Sequence, residues 1–263
     1  RMLSLLFLVS GSAPVIAPVV GGQLARIMDW RGIFGVLAAI GVALLLVVVF
    51  ALPETLDRAD RHPGGLRTLR SHTGAVLRDR LFVAVLCAGA GGGVAFFTYL
   101  SLSSFVLQDE FGLDPQGFSL AFALGALANI AGTQLSRLIV RRSSPLRVYL
   151  AGTTTTAIAT VVLAVVALLG IGVWGFAAAL AGFMLCVGLG GPNSSTLALA
   201  HHGARAGTAS ALLGMSTFLV GPLLSPLAVM VGGANAVTMG VTMASAALVA
   251  AAIAWFAVRP AAG

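Results

Sequence analysis

Stretches of about 20 apolar residues, the length needed to cross a hydrocarbon core, recur along this chain between small clusters of charge. All eight carboxylates fall between such stretches, at Asp29, Glu54, Asp57, Asp60, Asp79, Asp109, Glu110 and Asp114. The apolar runs lie at about 2–25, 33–52, 81–107, 116–140, 146–169, 173–199, 206–231 and 235–258. With 59% apolar and 9% charged residues and a mean hydropathy of +1.03, too little polar surface is left to clothe a water-soluble globule. The solvent of such a chain is lipid. There a segment must satisfy its own backbone, so each run is expected to be an α-helix. A membrane β-barrel would need short segments of alternating hydrophobicity, and the runs do not alternate. The expected fold class is therefore all-α membrane protein.

The formal charge of +7 could suggest a nucleic-acid partner. All fifteen basic residues are arginine, however, and they sit in the short connections between apolar runs, where they report topology instead. The one long polar stretch, residues 53–80, carries Pro53, Pro63, Gly64, Gly65 and Arg58, Arg61, Arg67, Arg70, Arg78 and Arg80. It reads as a linker between two bundles, giving segments 1–52, 53–80 and 81–263. Placing the linker on the cytoplasmic side puts every arginine except Arg26 and Arg31 on that side, so linker and C-terminus are expected to face inward. The chain opens on Arg1 and runs directly into an apolar stretch with no signal-peptide n-region, so a piece lacking its true start is expected.

Several chemistries find no support. Residues 89–93 are glycine-rich, but a phosphate loop needs its lysine and this chain has none; no nucleotide is expected. Cys87 and Cys186 lie inside apolar runs without metal spacing. His201 and His202 are adjacent, point different ways on a helix and lack companion ligands, so they read as a solvated loop pair, and no metal or other cofactor is expected. A membrane-embedded enzyme would need convergent acids or metal ligands, which these scattered groups do not supply.

The residues that stand out are helix benders and polar groups within apolar runs. Pro14 and Pro18, followed by Gly21 and Gly22, occupy the first run; Gly221, Pro222 and Pro226 occupy the seventh. Proline in a helix removes a backbone bond and bends it. Two such pairs six runs apart suggest an internal repeat of six-helix bundles. Pro192, after Gly191, is expected to break or kink the sixth run. Candidates for a substrate cavity are Phe96, Tyr99, Ser103, Phe122, Asn129, Asn193, Met215 and Phe218, because an apolar pocket with a few hydrogen-bonding groups accommodates varied amphipathic ligands. Tyr99, Asn129 and Asn193 must find partners in hydrocarbon, either a ligand or a neighbouring helix. Small-residue stripes at Gly182, Cys186 and Gly190, at Ala206, Ser210 and Gly214, and the glycines of 89–93 read as close helix crossings.

Residues 14–22 resemble the antiporter motif in the fifth helix of major facilitator superfamily exporters, with Ala17 where the motif carries glycine. DWRGIF at 29–34, LPETL at 52–56 and AGTASA at 206–211 strengthen the likeness, which is greatest to drug-resistance transporters of the Bcr/CflA type. The resemblance implies the major facilitator fold, with this chain holding helices 5 to 12 of twelve. It implies alternating access of two bundles in a bacterial inner membrane, with efflux of amphipathic small molecules coupled to proton entry. Pro14, Pro18, Gly21 and Gly22 would shape the seam between bundles. No carboxylate lies at mid-membrane depth here, whereas a proton relay ordinarily needs one; in related exporters it commonly sits in the first four helices. A permease for one metabolite or sugar is the competing implication.

Overall fold

The computed structural model describes residues 20–24, 26–51 and 65–261. They fall in two compact units that divide between Leu69 and Arg70. Among the described residues, seven helices are long and apolar enough to cross a membrane. They match the expected runs from the second onward; most of the first run lies outside the described residues, as do Pro14 and Pro18.

In the first unit, helical residues at 20–24 and 26–27 precede α1, Trp30–Ala51. Asp29 starts α1 by accepting the Gly32 amide at 3.0 Å, which satisfies one of the unpaired donors of a helix N-terminus. The Arg31 guanidinium lies 4.3 Å from the centroid of the Trp30 ring. None of the side chains of α1 is buried.

The second unit begins within α2, Leu66–Val76. This helix lies in the stretch read from sequence as a linker, and the fully buried Val76 joins the core beside Phe82 and Val85. Six long helices follow. They are α3 (Arg80–Ser104, continued by a π-helical turn, Phe105–Glu110), α4 (Pro115–Val140), α5 (Pro145–Leu168), α6 (Val173–Leu199), α7 (Ala206–Gly232) and α8 (Ala236–Ile253, continued by a π-helical turn, Ala254–Val258). Their starts are written in capping chemistry. Asp79, Asp114, Ser144 and Asn235 each accept an amide from the first turn of their helix, and proline opens α4 and α5, where its missing N–H is not needed. The α7–α8 turn requires Gly233, at φ 76°, a conformation that costs glycine least.

Packing follows an open series: α7 lies on α3, α3 on α8, α8 on α5, α5 on α6, and α6 on α4. Glycines set several of these crossings. A Cβ on Gly188 would strike the Asn129 carbonyl oxygen of α4, one on Gly132 the Leu185 carbonyl oxygen of α6, and one on Gly152 the Gly190 backbone of α6. Gly93 and Gly221 bring α3 and α7 together, where a Cβ on Gly221 would lie 2.8 Å from the Gly93 carbonyl oxygen. Thus Gly190 and Gly93 fulfil the expected crossings. Gly182, Gly214 and Gly89 do not, since a Cβ on any of them meets nothing within 4 Å. In lipid, such close backbone approach substitutes dispersion contact for the hydrophobic drive available in water.

Of the break or kink expected at Pro192, the break does not occur. The helix Val173–Leu199 is not broken at Pro192, and α7 likewise runs unbroken through Pro222 and Pro226. Membrane helices tolerate the lost bond because neighbouring hydroxyls and local adjustment re-satisfy the backbone. The carbonyl that Pro192 leaves without its amide is that of Gly188, one turn earlier and packed against the α4 backbone at Asn129.

Candidate functional site

Two apolar clusters occupy opposite ends of the second unit. One gathers Tyr99, Leu102, Val106, Leu163, Phe176, Phe183, Met239 and Met243; the other gathers Val76, Phe82, Val85, Tyr149, Ala209 and Val258. The middle of α3, residues 88–93, lies between them and consists only of glycine and alanine. Thin side chains there leave space. A cavity of about 330 Å³ is lined by Gly92, Phe96, Tyr149, Thr153, Thr156 and Ser194. A cleft of about 360 Å³ between α3, α6 and α7 adjoins it, and Gly89, Ser194 and Thr217 line both. Its other walls include Val85, Ser195, Ser210, Leu213, Ser216 and Phe218.

The polarity of this cleft is one-sided. Ser194, Ser216 and Thr217 donate their hydroxyl protons to carbonyls of their own helices, Gly191 and Leu213. Thr153 and Thr156 in the adjoining cavity do the same toward Leu150 and Gly152. Each hydroxyl oxygen keeps lone pairs to offer. Ser195 and Ser210 are exposed and make no hydrogen bond among the described residues. The lining therefore offers mainly acceptor oxygens, with Ser195 and Ser210 able also to donate, and suits ligands that bring N–H or O–H donors on an apolar body.

The residues singled out from sequence divide between this site and the packing around it. Phe96 lines the cavity and Phe218 the cleft. Tyr99 is 3% exposed, stacked on Phe122 at 5.5 Å and tilted against Phe183 at 6.0 Å, so it and Phe122 belong to an aromatic core. Ser103 is buried, and its hydroxyl, like those of Thr98 and Ser225, has no partner among the described residues. Asn129 and Asn193 join helices. Asn129 Nδ2 donates to the Met184 carbonyl at 3.0 Å, and Asn193 Nδ2 to Ser136 Oγ at 2.8 Å and to the Leu189 carbonyl at 3.2 Å. Met215 is exposed on α7 and borders neither space. Pro192, Pro222 and Pro226 are exposed, Gly21 is half-buried and Gly22 exposed.

Sequence reasoning missed the contribution of Ser210, Ser216 and Thr217. The signal was present, because Ser210 and Thr217 stand seven residues apart, two turns along one helix face. It also misread His202. That ring is 7% exposed, lies edge-on to Phe82 at 5.5 Å, and bonds Asp79 Oδ2 through Nε2 at 3.0 Å. Only His201 is exposed. The other carboxylates of the second unit, Asp109, Glu110 and Asp114, also sit at helix ends.

Helices of membrane-spanning length, joined by short turns and packed around a hydroxyl-lined cleft, define a multi-pass integral membrane protein of the all-α class. The chain belongs to the major facilitator superfamily, whose family model matches residues 1–226. It is similar to an uncharacterised MFS-type transporter, YdgK, of Bacillus subtilis strain 168, with 35% identity over 249 residues covering 92% of this chain and 61% of the relative. A bicyclomycin resistance protein homologue of Haemophilus influenzae is 25% identical over 230 residues, 86% of this chain and 57% of the relative. Multidrug resistance protein MdtL of Klebsiella pneumoniae subsp. pneumoniae is 26% identical over 232 residues, 88% and 57% of the two chains. This chain thus spans about three-fifths of the length of the relatives it matches. The superfamily is one of transporters rather than enzymes.

Proposed function

We propose that the protein is a proton-coupled exporter of amphipathic small molecules that carry hydrogen-bond donors, working by alternating access in a bacterial inner membrane. The observation that carries this reading is the cleft between α3, α6 and α7, where hydroxyl oxygens stand among aliphatic and aromatic side chains. The names of two relatives, a bicyclomycin resistance homologue and a multidrug resistance protein, support the substrate class. In this proposal residues 1–52 are the last two helices of the first bundle, 53–80 the cytoplasmic connection and 81–263 the second bundle, with the preceding helices supplied by the parent chain. Those helices would bring the proton-titrating carboxylate, since every described carboxylate stands at a helix end. Residues 14–22 would form part of the seam that opens and closes.

Everted membrane vesicles carrying the full-length protein test the reading directly. Accumulation of a drug such as bicyclomycin is expected to stop when nigericin collapses the pH gradient, and a single saturable metabolite with no drug competition would instead establish the permease reading. Valine at both Ser195 and Ser210 is expected to raise KM about thirtyfold, since each lost acceptor is worth about 1 kcal/mol. Unchanged transport in that variant removes the cleft from the substrate path. Efflux that survives Pro18→Leu and Gly22→Leu counts against the seam.

A further inference from the structure

On the outer side of the second unit, α5 and α8 part to form a groove of about 910 Å³, separate from the cleft described above. Its walls are Ile158, Val161 and Val162 of α5 and Leu248 and Phe256 of α8, and Trp255, Arg259 and Pro260 close one end. The twelve residues from Leu248 to Arg259 span about 16 Å at the rise of a helix. That is about half of a ~30 Å hydrocarbon core, the depth of one leaflet.

The closed end is built and charged. Trp255 Nε1 donates to Thr154 Oγ1 at 2.8 Å, tying the indole of α8 to α5 across the groove. The Arg259 guanidinium lies 5.0 Å from the centroid of that ring, held by the ring quadrupole, and pairs with no carboxylate among the described residues. Arg147 stands seven residues before Thr154, two turns further along the same face of α5, and it is exposed in the first turn of that helix. The positive end of the α5 dipole adds to the same field. An apolar trough one leaflet deep therefore ends in an indole at the level of the headgroups and the Arg259 guanidinium, with Arg147 further along α5, neither arginine paired with a carboxylate among the described residues.

The geometry points to a binding site for one anionic phospholipid, its acyl chain lying between α5 and α8 and its phosphate meeting Arg259 and Arg147. The site does not rest on the transport reading, because it lies on the outer face and shares no residue with the α3–α6–α7 cleft. A zwitterionic lipid presents the same chains without net charge, so the arginines impose the selectivity.

Trp255 is a built-in reporter. In the full-length protein, with its other tryptophans replaced by phenylalanine, reconstitution in nanodiscs of mixed composition permits quenching by brominated phosphatidylglycerol to be compared with that by brominated phosphatidylcholine. An anionic preference of about fivefold is expected from one interfacial arginine, and more from two. It should persist in Arg259→Lys and fall to near parity in Arg259→Ala combined with Arg147→Ala. Ile158→Trp would perturb the reporter, so the wall is tested by Ile158→Phe; that side chain is 58% exposed, and its enlargement should lower quenching by both lipids. Equal quenching by the two lipids in the protein with both arginines, or a preference untouched by their loss, overturns the site.

Discussion

Asp79 performs two tasks at the base of the second unit. One oxygen accepts the Leu81 amide at 2.8 Å and so opens α3; the other receives the Nε2 bond of His202 from beyond the end of α6. Replacing it with alanine removes a cap, worth about 1 kcal/mol, and strands a buried imidazole, worth about 1–3 kcal/mol. Asp79→Ala should therefore lose about 2–4 kcal/mol in an SDS-titration unfolding experiment. Asp79→Asn should keep most of the cap and lose less. His202 illustrates what a single sequence conceals: its partner lies 123 residues away, and adjacency to His201 gives no hint of it. Asn129 and Asn193 were more legible, because an amide in hydrocarbon has to find a partner, although sequence left open whether that partner was a ligand or a helix.

At the scale of the helix, boundaries were legible and neighbours were not. A lipid core dictates length, and aspartate, serine, asparagine and proline at 79, 114, 115, 144, 145 and 235 announce the starts. The helix Leu66–Val76 was hidden by the arginines around it, although Leu69 and Val76, seven residues apart, share a helical face. Small-residue stripes identify surfaces that permit close approach without saying which are used. Gly188 and Gly182 make the contrast measurable. A methyl at Gly188 meets the α4 backbone, whereas one at Gly182 meets open space. Gly188→Ala should destabilise the bundle by about 1–3 kcal/mol, and Gly182→Ala should be neutral or stabilising by up to about 1 kcal/mol, both read by the same unfolding titration.

For the molecule as a whole, arginine placement supports an inward connection and C-terminus. With Cys87 and Cys186 replaced by alanine, Ser71→Cys before α3 and Leu169→Cys after α5 should lie on opposite sides of the membrane. In intact cells an impermeant maleimide is expected to label only the latter, and the reverse pattern would invert the proposed orientation. Coverage is uneven too. Within the second unit taken by itself, twelve residues of α3 are buried and three of α7, Ala209, Gly221 and Ser225.

The α3–α7 crossing has a mechanical corollary. Outside the turn where Thr238 and Asn235 hold the Gly232 carbonyl, no described side-chain hydrogen bond ties α7 to another helix. Glycine faces glycine at Gly93 and Gly221, and Phe97 meets Phe218 edge-on at 5.7 Å. Asparagine bolts α4 to α6, and tryptophan bolts α5 to α8; α7 rests on a greased bearing. Sliding it along α3 would trade one set of dispersion contacts for another and load no side-chain hydrogen bond but those at the Gly232 turn, so in the proposed transporter this wall of the cleft is the one expected to travel.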